Sequence, residues 1–136
     1  MDGYVVSIRT PDPEDYRRIR VAAGLSPKSA EAAEAGLPNT LFGVVIQKDG
    51  RAIGMGRVIG DGGLFFQVVD IAVEPEHQGQ GLGKAIMAEI AAWLKRSTLP
   101  GAYVSLIADG EAWRLYAQYG FEPTAPASIG MALRAR

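Results

Sequence analysis

The chain has no cysteine. That excludes disulfides, cysteine metal sites and thiol catalysis together. It has a single histidine, His77, which argues against a histidine-rich metal centre. An excess of one charge is also missing. Lys and Arg number 14 against 15 Asp and Glu, for a net charge of −1, so the overall balance does not point to nucleic acid. A local site can still hold an anion. No apolar run approaches membrane length, and Met1-Asp2-Gly3-Tyr4 lacks the basic stretch that opens a secretory signal. The expectation is a cytoplasmic protein with no nucleic-acid partner, no membrane partner and no metal. Repeats and low-complexity linkers are absent as well.

What remains is an ordinary globular composition. The 136 residues suit one domain over 1–136, and 48% apolar residues leave enough for a core. Tyr4 to Arg9 is rich in β-branched residues and predicts a first strand. Asp12-Pro13-Glu14-Asp15 starts a helix, with Asp12 as cap, Pro13 in the first turn, and Tyr16, Ile19 and Ala23 at helical spacing. Ser26-Pro27 starts a shorter helix with a thin stripe of Ala30, Ala33 and Leu37, which Gly36 can end. Three strands follow, Leu41 to Lys48, Arg51 to Ile59 and Leu64 to Val73. Asp49-Gly50 and Asp61-Gly62-Gly63 turn them into an antiparallel meander.

Pro75 ends the strands, and Gly79 to Gly83 lead into a long helix with Leu82, Ile86, Ile90 and Trp93 on one face. After Pro100-Gly101, Ala102 to Ala108 reads as a strand and Glu111 to Tyr119 as a helix that Gly120 ends. Ser128 to Leu133 reads as a last strand. The order is β-α-α-β-β-β-α-β-α-β. The strand–helix–strand over 64–108 predicts a right-handed parallel crossover, and a mixed sheet covered by helices on both faces is the natural packing.

The loop Gln78-Gly79-Gln80-Gly81-Leu82-Gly83 carries the most chemistry. Glycines at a helix start let N–H groups face a ligand without Cβ interference, and the first helical turn has spare donors and partial positive charge. That makes a pyrophosphate cradle; the plain alternative is a glycine-rich turn with no ligand. A Rossmann fingerprint does not fit, because the loop follows a meander. A Walker loop does not fit either, because Ala85 follows Gly83-Lys84.

Gln78-x-x-Gly81-x-Gly83, after an apolar strand and Pro75, resembles the central motif of the GNAT superfamily of acyl-CoA N-acyltransferases, Gln/Arg-x-x-Gly-x-Gly/Ala. The stretch from Asp109 through Ala112, Leu115-Tyr116 and Gly120-Phe121 is similar to that family's Asn-x-x-Ala-x-x-Leu-Tyr-x-x-x-Gly-Phe signature. The resemblance implies an α+β (mixed α/β) fold. Its central sheet would be mixed and mostly antiparallel, with helices on both faces and an acyl-CoA cleft between splayed neighbouring strands. It implies an acetyl-CoA-dependent N-acetyltransferase that acts directly on a primary amine of a small molecule. A protein amine as acceptor, or a non-catalytic acyl-CoA-binding module on the same fold, stays open beside it. A homodimer is a further expectation from the family.

The same resemblance implies residue roles. The backbone of Ile71, Ala72 and Val73 would pair with the pantetheine arm, and the Val73 N–H would polarise the thioester carbonyl. The amides of Gln78, Gly79, Gln80, Gly81, Leu82, Gly83 and Lys84 would hold the pyrophosphate. Tyr116 would face the departing sulfur as a hydrogen-bond donor. Asp109 stands where many relatives carry Asn, so it could contact CoA or cap the next helix.

No base is assigned. Gln67 occupies the place where some relatives carry a glutamate. Strand alternation puts Asp70 on the opposite sheet face from Gln67, Val69 and Ile71. His77 lies beside the phosphates. Arg17, Arg18 and Arg20 read as a solvated helix face, one of which could reach the 3′-phosphate of CoA. The acceptor pocket would be lined by the two N-terminal helices and by Leu25 to Phe42, a region with no charge cluster to name a substrate.

Overall fold

In the computed structural model, which describes residues 3–135, one sheet runs in the order β1-β2-β3-β4-β5. The strands are β1 (Tyr4–Ile8), β2 (Phe42–Lys48), β3 (Arg51–Gly60), β4 (Phe65–Val73) and β5 (Tyr103–Ser105). The first four form the antiparallel meander that the turn residues predict. At the second turn the Asp61 carboxylate accepts from the amides of Gly63, Leu64 and Phe65, which fixes the sharp reversal into β4. β5 is parallel to β4, so the chain makes the expected crossover through a helix. The sheet is therefore mixed and mostly antiparallel, with helices on both faces.

The crossover helix is α3 (Leu82–Ser97). It lays Leu82, Ile86, Met87, Ile90 and Leu94 on one sheet face, against Val44, Ile46, Ile53, Val58, Phe66 and Val68. Gly56 of β3 makes the approach possible. A Cβ there would meet Ile86 at 2.5 Å and Ile71 at 2.6 Å, so any larger residue would push the helix off the sheet. Trp93 is half-buried at the margin and stacks on Phe42, with ring centroids 5.2 Å apart.

The other face is covered by α1 (Pro13–Ala22) and α2 (Ala30–Gly36). Tyr16, Ile19, Ala33 and Leu37 pack there on Val45, Ala52, Met55 and Ala72. The second helix starts at Ala30, later than Ser26-Pro27 implied. The Ser29 hydroxyl accepts from the Ala32 N–H at 3.1 Å, and that cap sets the true start. Asp12 precedes α1 but makes no side-chain cap.

The C-terminal third departs most from the sequence pattern. The strand predicted over 102–108 is paired only at Tyr103–Ser105. The last helix, α4, is a short Trp113–Ala117, preceded by Ala112 with no side-chain cap, so Asp109 does not cap it. Ser128 to Leu133 forms no strand, and residues 122–135 are all exposed. Alternation alone does not make a strand; it needs an edge to pair with.

Candidate active site

β4 is nine residues long, yet β5 pairs with only Phe65, Phe66 and Gln67. Beyond Gln67 the outer edge of β4 faces open space instead of a neighbouring strand. The Glu74 N–H donates to Ile53 of β3, so the Val73 N–H, one residue back, points away from β3 into this gap. The gap is the cleft between splayed strands that the family resemblance implies.

A cavity on one side of the cleft is lined by Ile71 to Val73, by His77, by Gln78, Gly79, Gly81, Leu82 and Gly83 of the turn but not Gln80, and by Ala112, Leu115 and Tyr116. Gly79 and Gly81 have φ of +79° and +80°, a conformation that costs glycine little and other residues more. Gly81 precedes α3 without a side-chain cap, and the first bond of the helix is Ala85 N–H to Gly81 C=O. The amides of Leu82, Gly83 and Lys84 therefore have no partner in the helix ladder and sit at its positive end. A Cβ at Gly79 or Gly81 would meet nothing within 4 Å, so the space over the loop is open. This matches the needs of an anion. The Gln78 side chain turns inward, donating to the Val73 carbonyl at 2.9 Å. It ties the loop to the strand end. Lys84 does not line this cavity; its carbonyl accepts from the Tyr119 hydroxyl at 3.1 Å, which ties α3 to the segment after α4.

A second cavity of about 470 Å³ opens between α1, β3, β4 and the segment leading into α4. Its size is in the range of small-molecule sites. At its base the Asp70 carboxylate, 5% exposed, lies between two guanidiniums. Arg20 and Arg57 pair with its two oxygens, Arg57 at 2.9 Å, and the Tyr16 hydroxyl donates to it at 3.0 Å. Arg57 also donates to Thr40 at 2.6 Å, while Arg20 bonds Ser26. Burial, then the charge of Asp70, pushes the Tyr16 pKa up, which keeps that hydroxyl a donor.

Two readings of the sequence are corrected here. Asp70 has φ +60°, and the register shifts opposite Gly56, so β4 carries a bulge. The bulge breaks the period of two. It turns Asp70 toward α1, on the face of Gln67 and Val69, while Ile71 passes to the α3 face. Of the α1 arginines, Arg17 stays exposed as read, but Arg18 and Arg20 turn inward onto carboxylates. Arg20 is buried on Asp70, Arg18 pairs with the buried Glu74 at 3.1 Å, and Arg17 donates to the Lys28 carbonyl. This charged cluster escaped sequence reading because its members come from three elements. The available signal was a lone Arg57 and a lone Asp70, each inside an apolar strand.

Ile71, Ala112 and Tyr116 line both cavities, so the two meet at Tyr116. Burial, then the negative charge of Asp109, raises the Tyr116 pKa above its usual 10.0. Asp109 lies in the second cavity, not over the glycine loop. His77 lies in the first, where its Nδ1 is 2.8 Å from the Tyr4 hydroxyl. Among the described residues no cluster of side chains suits a metal ion, and no helix is long and apolar enough to cross a membrane.

Comparison with known proteins adds an independent finding. Residues 39–123 match the family model described as an acetyltransferase (GNAT) domain. The chain is 34% identical over 85 residues to the chloroplastic GCN5-related N-acetyltransferase 2 of Arabidopsis thaliana, covering 62% of this chain and 32% of that protein. It therefore spans about a third of that relative's length. A solved structure from methicillin-resistant Staphylococcus aureus, a protein of unknown function described as a probable acetyltransferase, superposes with a TM-score of 0.93 at 51% identity. That match covers 97% of this chain and 99% of the other. A GNAT-family acetyltransferase from Streptococcus pneumoniae superposes with a TM-score of 0.79 at 25% identity, over 98% of each chain.

Proposed function

The chain belongs to the GNAT acetyltransferase family, and from that premise we propose that it transfers an acetyl group from acetyl-CoA directly to the primary amine of a small molecule that also carries an anionic group. The observation behind this reading is the junction at Ile71, Ala112 and Tyr116, where a backbone-lined cavity meets a charged one. Acetyl-CoA supplies the activated acyl thioester.

The residues then divide the work. The amides of Gly79 to Lys84 hold the pyrophosphate at the positive end of α3. The open edge of β4 at Ile71 to Val73 aligns the pantetheine arm, and the Val73 N–H polarises the thioester carbonyl. Tyr116 donates a hydrogen bond to the departing sulfur. Its raised pKa keeps the hydroxyl protonated at neutral pH, which a donor needs. Its family role and its place at the junction agree.

The amine must lose a proton. An alkylamine with a pKa of about 10.4 is neutral in about one molecule per thousand near pH 7.4. Asp70 is committed to Arg20, Arg57 and Tyr16, and His77 is on the donor side. Asp109 lines the acceptor cavity without an ion-pair partner among the described residues. We assign it to draw in the ammonium and take its proton, directly or through a water that Gln67 orients. That assignment supplies the carboxylate whose absence at Gln67 kept the non-catalytic reading open. Lys28 and the remaining donor face of Arg57 leave the cavity floor positive after Asp70 is counted. This is the ground for an anionic group on the acceptor.

Thiol release with a panel of amines tests the reading. Amines bearing a carboxylate or phosphate are expected to turn over faster than neutral analogues of the same length. Acetyl-CoA at 100 times its dissociation constant is expected to stabilise the fold by about 2.7 kcal/mol. Stabilisation without turnover on the whole panel would sink the enzyme reading, and no stabilisation would sink the donor site as well.

A further inference from the structure

The chain has four lysines, Lys28, Lys48, Lys84 and Lys95. Lys48 lies over the Tyr4 ring at 4.6 Å, and Lys95 lines a groove beside β5. Lys84 stands on α3, outside both cavities that meet at Tyr116. Lys28 alone of the four walls the acceptor cavity, together with Tyr116, Asp109 and Gln67. It puts a primary amine, the group that the proposed reaction consumes, into the chamber where that reaction takes place.

The backbone around Lys28 is held while its amine is not. The stretch 25–29 between α1 and α2 is neither helix nor strand. Arg20 donates to the Ser26 carbonyl at 2.8 Å, Arg17 donates to the Lys28 carbonyl at 2.9 Å, and Ser29 caps α2. The Lys28 ammonium, on its flexible four-carbon stem, has no hydrogen-bond or ion-pair partner among the described residues. The other two cations of the cavity, Arg20 and Arg57, are committed to Asp70.

A smaller cavity of about 160 Å³ shares Tyr16, Lys28 and Arg57 with the acceptor cavity and adds Ala32, Ala33, Gly36 and Leu37. Ala33 and Leu37 are buried. Lys28 therefore has two places to go. The acceptor cavity suits a charged ammonium, and the partly apolar annex suits an uncharged amide.

We propose that, when no acceptor fills the cavity, the protein acetylates its own Lys28, and that this modification weakens its binding of anionic amines. The inference rests on the acetyl-transfer reading given above. The Lys28 ammonium gives one proton to Asp109, the base already assigned. The neutral Nζ then attacks the thioester carbonyl carbon of acetyl-CoA; the C–N bond forms and the C–S bond breaks. The electron pair leaves on sulfur, where Tyr116 donates a hydrogen bond. The second proton lost from Nζ passes to that sulfur, so CoA departs as a thiol, and Asp109 returns its proton to solvent. An amine tethered in the same chamber is present at an effective concentration on the order of millimolar, whatever the protein concentration. A bound acceptor stops the step, because it fills the chamber and its anion pairs with the Lys28 ammonium. Acetylation removes that charge. The site thus loses grip on its acceptor when acetyl-CoA is plentiful and the amine is scarce.

Peptide mass spectrometry tests this on the full chain, incubated with deuterated acetyl-CoA and no amine. One acetyl group per chain is expected, on Lys28, faster than on Lys48, Lys84 or Lys95 and at a rate independent of protein concentration. Tyr116→Phe should slow labelling of Lys28 about 100-fold and leave the other three lysines as they were. Preincubation with acetyl-CoA should raise the KM for an anionic amine about tenfold in the wild type. The same treatment should not move the KM of Lys28→Arg, which keeps a charge and offers no amine. Equal labelling of all four lysines would overturn the proposal, as would a rate that rises with protein concentration or one that Tyr116→Phe does not change. Turnover of the amine panel with Lys28 unlabelled would overturn it too, and would leave the proposed function standing. Neither label nor turnover would sink the proposed function along with it.

Discussion

The cavity proposed for the donor is walled largely by one segment, the glycine turn and the start of α3, with Gln78, Gly79, Gly81, Leu82 and Gly83 lining it. The cavity proposed for the acceptor is walled instead by side chains gathered from α1, the loop after it, β3, β4 and the approach to α4. The first construction needs only glycines in the right places and a helix to follow. The second needs the whole tertiary structure in register. A side built from backbone resists most substitutions, because no side chain there does the binding. A side built from convergent charges is sensitive at every member and can be retuned one residue at a time.

The largest expected effect lies at the charged base of the acceptor cavity. Asp70→Ala strands two buried guanidiniums, which is expected to cost about 3–5 kcal/mol in urea unfolding. Acetyl-CoA should still stabilise the folded fraction of that variant. Loss of that response would show the two sides to be one unit. Next comes the residue they share. Tyr116→Phe should lower turnover about 100-fold, or about 2.7 kcal/mol, with acetyl-CoA affinity nearly unchanged. The raised pKa of Tyr116 sharpens this. Ionisation of Tyr116 should not reduce wild-type turnover until the pH passes above 10, so a fall assigned to this group below pH 10 would contradict its role as a protonated donor.

Smaller effects separate the two sides. Lys28→Ala removes one charge facing the cavity and should raise the acceptor KM about tenfold for an anionic amine, with no change for a neutral one. An equal change in acetyl-CoA binding would place Lys28 on the wrong side. Gly81→Ala must hold a Cβ at φ +80°, a strain of about 1 kcal/mol. It should weaken acetyl-CoA about fivefold, measured by calorimetry, and leave the acceptor KM alone. If instead the acceptor KM moves most, the division between backbone and side-chain sites fails.

Much of the fold was legible locally. Asp49-Gly50 and Asp61-Gly62-Gly63 marked the meander, and the stripe from Leu82 to Ile90 marked α3, because turns and amphipathic helices are encoded within a few residues. The glycine loop was legible for the same reason. Arg20, Arg57 and Asp70 were not, because a bulge that moves one side chain to the other sheet face leaves no period to read. Asp109 was read as a cap or a CoA contact. Its position in the second cavity depends on how α4 docks against α3 through Leu115 and Gly83.

By itself, then, the sequence determined the element order, the antiparallel meander and the anion-ready start of α3. Each is the outcome of short-range sterics and hydrogen bonding that neighbouring residues impose on one another. Only the tertiary structure decided which charges face one another at the base of the second cavity, how far β5 follows β4 before the cleft opens, and that the strand-like tail at 128–133 stays unpaired. Those outcomes depend on distances between residues far apart in sequence, which no local pattern contains.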